Sequence, residues 1–324
     1  MIVAYVFSDG ALRAIPVAEG PIPAEAVWVD LISPVDADDA RAEAFAGISV
    51  PTREEMGAIE QSSRLYLEDG ARYMTASLLC GADTEVPVMM AVTFILTRGR
   101  LITVRYNEPR AFPAVAGRLG KICPGGITGE AILVALLEAV VDRAADVLEQ
   151  IGVDVERISR RIFERGQTGE NANQRYRAIL SHIGRKEGLV SSARESLASL
   201  QRLLSFLGTA TDGADVGKDA RASIKSMSRD VSGLSDYAAF IGDKLQFLLD
   251  ATIGMVSLEQ NNIIKIFAVL SVVLMPPTLI ASIYGMNFQN MPELGWTYAY
   301  PTALVAMVIS GILPYVFFKW RGWL

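Results

Sequence analysis

Six residues on one apolar stretch sit at a spacing that suits ion passage: Ile264, Phe267, Ser271, Met275, Thr278 and Ser282. Five steps over 18 residues average 3.6, one turn of an α-helix. At 100° per residue the three hydroxyls fall within about 40° of one another. Hydroxyls aligned on a membrane-crossing helix can bond the water shell of a passing cation, and Ile264, Phe267 and Met275 can form dry constrictions that close by dewetting. The competing use is local, because Ser and Thr bond back to their own helix carbonyls and serve helix–helix contacts. Pro276-Pro277 frees carbonyls for the same purpose. The stripe holds no carboxylate, His or Cys to trap a borderline metal such as Zn²⁺. Hydroxyl and carbonyl oxygens suit Mg²⁺, which prefers oxygen ligands and dehydrates reluctantly. Gly285-Met286-Asn287 follows at once, and Glu293 is the next carboxylate. An Asn carbonyl can accept from water held by an ion without stripping it.

A stripe of this kind needs a bilayer and partners around it. The chain has 324 residues, 51% hydrophobic and 20% charged, with a mean hydropathy of +0.30. The excess is local, for the 53 residues from Ile266 to Phe318 carry one ionisable charge, Glu293. Outside that stretch the charged fraction is about 24%, ordinary for soluble protein. Two spans are expected, Ile266–Tyr284 and Tyr300–Phe318, each 19 residues and long enough to cross ~30 Å of hydrocarbon. Lys265 precedes the first, Lys319 and Arg321 follow the second, and the loop between has no Lys or Arg. The positive-inside rule then puts both termini in the cytoplasm and residues 285–299 outside. Trp296, Tyr298 and Tyr300 mark the outer boundary, Trp320 and Trp323 the inner one. A two-helix hairpin cannot enclose a water-filled path, so several copies must ring a shared axis.

Charge narrows the function further. The net charge is −6, of which residues 1–265 hold −7. An acidic body is a poor nucleic-acid binder and a good neighbour for cations. Cys80, Cys123 and His182 are the only residues of their types, so one chain cannot close a Cys/His zinc site. Two distant thiols fit a reducing cytoplasm. No nucleophile–base pair, phosphate loop or histidine cluster points to an enzyme, and Ser62-Ser63 have no His nearby in sequence. Nor does the pattern call for a bound cofactor.

The expected fold is an α+β membrane protein in three parts: an α/β cytoplasmic domain over 1–122, a helical funnel and stalk over 123–265, and a hairpin over 266–324. Strands are read at Ile2–Phe7, Ala26–Leu31, Arg72–Leu79, Met90–Thr97 and Leu101–Tyr106, the last two joined by a turn at Arg98-Gly99-Arg100. Met1–Arg13 lacks a basic segment before an apolar run and reads as a strand, not a signal peptide. Ser33-Pro34-Val35-Asp36 reads as N-cap, N1, N2 and N3, which makes Asp36, Asp38 and Asp39 a dipole-matched helix start and not a metal cluster. Thr128 caps a long helix with Ile132, Leu136, Val140 and Ile151 on one side, ending at Gly166-Gln167-Thr168-Gly169. A second runs to about Phe206, and Gly208–Gly217 reads as a linker. A third starts near Lys218 and shows no stop before Tyr284, its stripe including Ile224, Val231, Leu234, Ile241, Leu245, Leu248 and Met255.

Gly285-Met286-Asn287 at the outer end of the first of two C-terminal spans is accompanied by Glu259-Gln260-Asn261, Ile263-Ile264-Lys265-Ile266-Phe267, Met275-Pro276-Pro277-Thr278-Leu279, Met291-Pro292-Glu293-Leu294 and the ending Pro314-Tyr315, Lys319 and Trp323-Leu324. Further back stand Trp28-Val29-Asp30-Leu31 and Glu60-Gln61-Ser62-Ser63-Arg64-Leu65-Tyr66. Together these resemble the CorA family of divalent-cation (magnesium/cobalt) transport proteins, over nearly the whole chain. The resemblance implies a homopentameric funnel in a bacterial-type inner membrane, a stalk helix continuous with the pore helix, and an outer second helix. It implies magnesium as substrate, with cobalt and nickel. Gly285, Met286 and Asn287 then form the external mouth with Glu293, and the pore lining extends down to Asn261. The position after Phe288, commonly acidic in this branch, is Gln289 here, which leaves Glu293 the loop's only carboxylate.

A zinc-transporting branch shares Gly-Met-Asn, but the Met-Pro-Glu-Leu loop favours magnesium. A membrane-tethered sensor is the distant rival, and the hydroxyl stripe would have no use in a lipid-facing anchor. Arg229-Asp230 and Gly242-Asp243-Lys244 lie in the stretch that resembles the family's sensing region. This marks Asp230 and Asp243 as regulatory Mg²⁺ ligands, against the alternative of solvated carboxylates paired with Arg229 or Lys244.

Overall fold

The computed structural model describes residues 1–58, 60–84, 87–121, 126–163, 172–210, 218–287 and 291–323. Three expectations lie wholly or mostly outside these residues: the helix end at Gly166–Gly169, the linker over Gly208–Gly217, of which 211–217 are not described, and the environment of Gln289.

Seven strands form one sheet in the order β2-β1-β3-β7-β6-β5-β4. They are β1 (Ile2–Ser8), β2 (Ala11–Val17), β3 (Ala26–Ile32), β4 (Leu65–Glu68), β5 (Ala71–Cys80), β6 (Val88–Thr97) and β7 (Arg100–Arg105). Only β3 and β7 run parallel, with Trp28 opposite Leu101. Three hairpins share one device, a two-residue turn with both residues at positive φ: Asp9-Gly10 (53° and 75°), Asp69-Gly70 (49° and 76°) and Arg98-Gly99 (46° and 75°). That is the turn whose twist matches paired strands, and Gly in second place removes the Cβ penalty. The five expected strands are present to within two residues at each end. The two unexpected ones, β2 and β4, are the edge strands, where Pro16 inside β2 costs no ladder bond to a further neighbour.

The start of α1 differs from expectation. The helix spans Asp36–Ala46 with Val35 as N-cap, and Ser33 sits at φ 44°, outside it. The residue before a proline is driven out of the helical region, which moves the start beyond Pro34. Asp38 is therefore the N3 acid. Its Oδ2 accepts from the N-terminal amine at 2.8 Å and from Val35 N at 3.4 Å, and the amine holds its carboxyl below the usual range.

Beneath the sheet centre lies a buried polar chain. Trp28 Nε1 donates to Thr103 Oγ1 at 3.0 Å, Thr103 Oγ1 donates to Asp30 at 2.7 Å, and Arg105 meets Asp30 through Nη2 at 2.8 Å. Asp30 is 1% and Arg105 6% exposed at the side chain. Burial pushes the Asp30 carboxyl up while Arg105 and Thr103 pull it down. Arg105 also lies over the Phe112 ring, beside Trp28 and Phe94. Breaking such a pair from one side strands the other charge, so Asp30→Ala is expected to cost roughly 3–5 kcal/mol. Urea unfolding followed by near-ultraviolet circular dichroism checks this; a loss under 1 kcal/mol would mean Arg105 finds another partner.

The long helices are α4 (Gly129–Phe163), α5 (Ala172–Ala210) and α6 (Lys218–Tyr284), with short α2 (Arg53–Met56) and α3 (Ala111–Leu119) before them. Thr128 caps α4 as expected, its Oγ1 accepting from Ala131 N at 3.3 Å. Gly129 is required by a close approach, since a Cβ there would fall 2.4 Å from the Arg100 carbonyl carbon. The expected linker starts later than Gly208, because α5 continues to Ala210.

Two compact units divide α6 between Leu249 and Asp250. In the first, Ile224, Met227, Val231, Ala238, Ile241, Leu245 and Leu248 are buried at alternating spacings that keep one face of α6 inward. Lys244 reaches Glu156 of α4 at 2.6 Å, and Gln201 of α5 donates to Ser228 at 3.0 Å. In the second unit, the outer part of α6 is followed by a short 3₁₀ turn (Pro292–Gly295) and α7 (Ala299–Trp320). Both α6 and α7 are long and apolar enough to cross a membrane.

Candidate metal path

The outer part of α6 presents two unlike faces. Val269, Val273, Pro276, Pro277 and Ile280 are its shielded residues, recurring at three-to-four spacing. On α7 the less exposed residues are Ala299, Ala303, Met307, Ser310, Gly311, Pro314 and Phe318. The contact is close at Gly311, where a Cβ would lie 3.5 Å from Pro277 Cγ and 3.6 Å from Val273 O. Val273 O is the carbonyl whose usual helical donor Pro277 lacks, so the proline leaves it turned toward α7. Gly311 was not singled out in the sequence, although a lone glycine inside an apolar span is the usual sign of such an approach.

The hydroxyl stripe lies about 180° around α6 from this shielded face, at 100° per residue. Asn261, Ile264, Phe267, Ser271, Met275, Thr278 and Ser282 are all exposed in the single chain, Ile264 by 63%, Phe267 by 64% and Met275 by 66%. The structure thus brings the predicted stripe together on the face that α7 leaves open. Ser271 Oγ donates to Phe267 O at 2.8 Å, and Thr278 Oγ1 donates to Leu274 O. The local use of the hydroxyls is realised, and it does not consume them. With the hydrogen turned back into the helix, the oxygen lone pairs face outward, the orientation that accepts from water around a cation.

At the outer end, α6 stops after Tyr284. Gly285 N donates to Ala281 O at 2.9 Å and Met286 N to Ile283 O at 3.3 Å. The approach at Gly285 is tight, since a Cβ there would sit 3.1 Å from Ala281 O. Met286 and Asn287 are exposed beyond the last turn. Glu293 belongs to the 3₁₀ turn, but its side chain and residues 288–290 lie outside the described set.

Asp230 and Asp243 are exposed on α6 in the first unit. Thirteen residues separate them, about 20 Å along the helix and about 140° around it, so they cannot share one ion within a chain. Lys244 is engaged by Glu156, whose carboxyl it holds low, rather than by Asp243. Among the described residues no group of three or more His, Cys, Asp or Glu is gathered to hold a metal.

The comparisons agree with this geometry. The family model described as "CorA-like Mg2+ transporter protein" matches residues 23–320. "Magnesium transport protein CorA" of Escherichia coli strain K12 is 34% identical over 326 residues, covering 100% of both chains. The protein of the same name from Yersinia pseudotuberculosis is 35% identical over 325 residues, with the same coverage. Among solved structures, the complete CorA magnesium transporter from Methanocaldococcus jannaschii superposes with a TM-score of 0.79 at 16% identity, covering 100% of this chain and 99% of that one. The order of elements is therefore that fold, an N-terminal α/β sheet domain with a long helix leading to a second apolar helix. On the family match over nearly its whole length, the chain belongs to the CorA-like Mg²⁺ transporter family.

Proposed function

We propose that this protein conducts Mg²⁺ across a bacterial-type inner membrane as a ring of identical chains, five by analogy with the family, with Co²⁺ and Ni²⁺ as further substrates. The observation that carries the reading is the exposed hydroxyl face of α6, directly opposite α7 and continuous with Gly285-Met286-Asn287. Copies turning this face inward would line a shared path with hydroxyl oxygens, while α7 stands between α6 and lipid. Asn287 at the mouth holds the hydrated ion. Ser282, Thr278 and Ser271 replace water–water bonds below it, and Met275, Phe267 and Ile264 narrow the path, with Asn261 at the inner end. Transport, rather than catalysis, is what such a face can do. Zinc is the rival cargo, and a lining without carboxylate, His or Cys disfavours it.

Self-association has support in the first unit as well. Phe240 and Phe247, each 60% exposed, flank Asp243 and belong to two exposed aromatic pairs, Phe247 with Phe163 of α4 at 6.3 Å and Phe240 with Tyr237 at 6.4 Å. A contiguous exposed aromatic patch of this kind is what a contact with another chain would cover.

Purified protein in liposomes should carry Mg²⁺ inward down its gradient, with Zn²⁺ flux far lower under the same conditions. Flux of Zn²⁺ alone would reassign the cargo, and no metal flux from assembled protein would remove the transport reading. The charge asymmetry around the spans puts both termini in the cytoplasm. A Gln289→Cys variant should accordingly react with an impermeant thiol reagent on whole cells; labelling only after lysis would invert the topology.

A further inference from the structure

We propose that the outer face of α7 is a binding groove for one anionic phospholipid of the cytoplasmic leaflet. An acyl chain lies along the helix, and Lys319 and Arg321 hold the phosphate headgroup. The inference rests on α7 crossing the bilayer with its C-terminal end inside. It does not depend on which ion the path carries.

The groove encloses about 450 Å³ and is lined by Ile309, Ile312, Leu313, Val316, Phe317 and Trp320. That volume lies in the range of small-molecule sites. All six residues are exposed, and they sit about 130° around α7 from its less exposed residues, among them Gly311 against α6. Any apolar face in a bilayer touches lipid; the shape and charge of this one select which lipid. From Ile309 to Trp320 the helix rises about 16 Å, close to half of the ~30 Å hydrocarbon thickness. The groove is therefore as long as one leaflet is deep. It ends at the headgroup level, where Trp320 stands 82% exposed.

The charges are placed at that end. Lys319 and Arg321 flank Trp320 by about 100° on either side, and both are exposed. Arg321 Cζ lies 5.9 Å from the centre of the Phe317 ring, which keeps the guanidinium beside a residue of the groove. The end of the helix is built to hold it there, with Arg321 as C-cap. Gly322, at φ 72°, donates from its N to Lys319 O at 3.2 Å, and Trp323 N donates to Phe318 O at 3.1 Å. These are the two bonds of a glycine-closed helix end, and the accompanying apolar contact is present as Trp323 on Phe318 at 5.4 Å. The helix end itself contributes about half a negative charge, which the two cations outweigh. A guanidinium fork can meet two phosphate oxygens at once. A zwitterionic headgroup brings its own cation and gains less from this site.

The test uses full-length protein with Trp296→Phe and Trp323→Phe, which leaves Trp320 as the only tryptophan of the apolar hairpin. Trp28 is buried in the sheet domain and out of reach of lipid. The protein is reconstituted into vesicles in which either phosphatidylglycerol or phosphatidylcholine carries bromine high in its acyl chain, a contact quencher of tryptophan fluorescence. Brominated phosphatidylglycerol should quench Trp320 at a mole fraction at least about fivefold lower than brominated phosphatidylcholine. Lys319→Gln with Arg321→Gln should bring the two lipids level. So should Val316→Phe, which fills the groove and keeps both charges, with helical circular dichroism and assembly size unchanged. Equal quenching by the two lipids in the starting protein overturns the proposal and leaves α7 in ordinary lipid. A preference that survives Val316→Phe is a general attraction of the basic surface, and one that survives the double glutamine variant has another source; either overturns it. No quenching by either lipid puts water or another chain over Trp320 and overturns it as well. Mg²⁺ flux in the same vesicles reports separately on the transport reading.

Discussion

Asn287→Ala should abolish Mg²⁺ flux, by at least about 100-fold, while expression and assembly stay at wild-type levels. Asn287 is exposed beyond the last turn of α6, with no described contact that its loss would break. The effect comes from the ion's side. A hydrogen bond involving a charged or strongly polarised partner is worth about 1.5–3 kcal/mol, and each copy in the ring loses one. A rise of only ~3 kcal/mol in the entry barrier already slows passage about 100-fold. Stopped-flow uptake into liposomes measures it, and wild-type flux through an assembled mutant would remove Asn287 from the mouth. Thr278→Val is the milder companion: it removes the bond to Leu274 O and the outward lone pairs, but at one of three hydroxyl levels on the stripe.

Asp230→Asn combined with Asp243→Asn should leave the channel conducting at internal Mg²⁺ levels that close the native protein. Residues 1–265 carry a net −7, so five copies side by side assemble about 35 negative charges. Cations bridging carboxylates of adjacent copies would relieve that repulsion, and Mg²⁺ can do so through its water shell. Closure by internal Mg²⁺ requires that the closed ring bind it more tightly than the open one. Both carboxylates are exposed, and Lys244 is taken by Glu156, which leaves Asp243 available to a neighbour. Because the two lie on different sides of α6, they would form two separate bridges, and each single variant should give part of the effect. Mg²⁺ protection of the helix against proteolysis should vanish in the double variant. If that variant still closes at the native Mg²⁺ level, sensing belongs to carboxylates of the sheet domain.

What the sequence disclosed follows from where its periodicity is strong. The hydroxyl stripe, the 67-residue helix from Lys218 to Tyr284 and both apolar helices were legible because a single face repeats over many turns. Strands β2 and β4 were not, because an edge strand buries little and its alternation is weak: four successive residues of β2 are exposed. Their signal lay in the turns, where Asp9-Gly10 and Asp69-Gly70 have the same form as the recognised Arg98-Gly99. The start of α1 differs from expectation because Pro34 acts on Ser33 before it instead of opening the helix. Gly311 stayed hidden for another reason. Its role depends on which faces of separate helices meet, and no single helix's pattern contains that.

The central claim is that the α6 face opposite α7 lines the ion path, and cysteine substitution with Cd²⁺ block of Mg²⁺ flux tests it most directly. In a background with Cys80 and Cys123 replaced by Ala, Ser271→Cys, Thr278→Cys and Ser282→Cys should each become Cd²⁺-sensitive. Val273→Cys and Ile280→Cys, on the face toward α7, should conduct without block. Sensitivity that follows the 3.6-residue stripe is the predicted result. Block at 273 and 280 with none at 271, 278 and 282 would place the path on the other side of the helix and contradict the account.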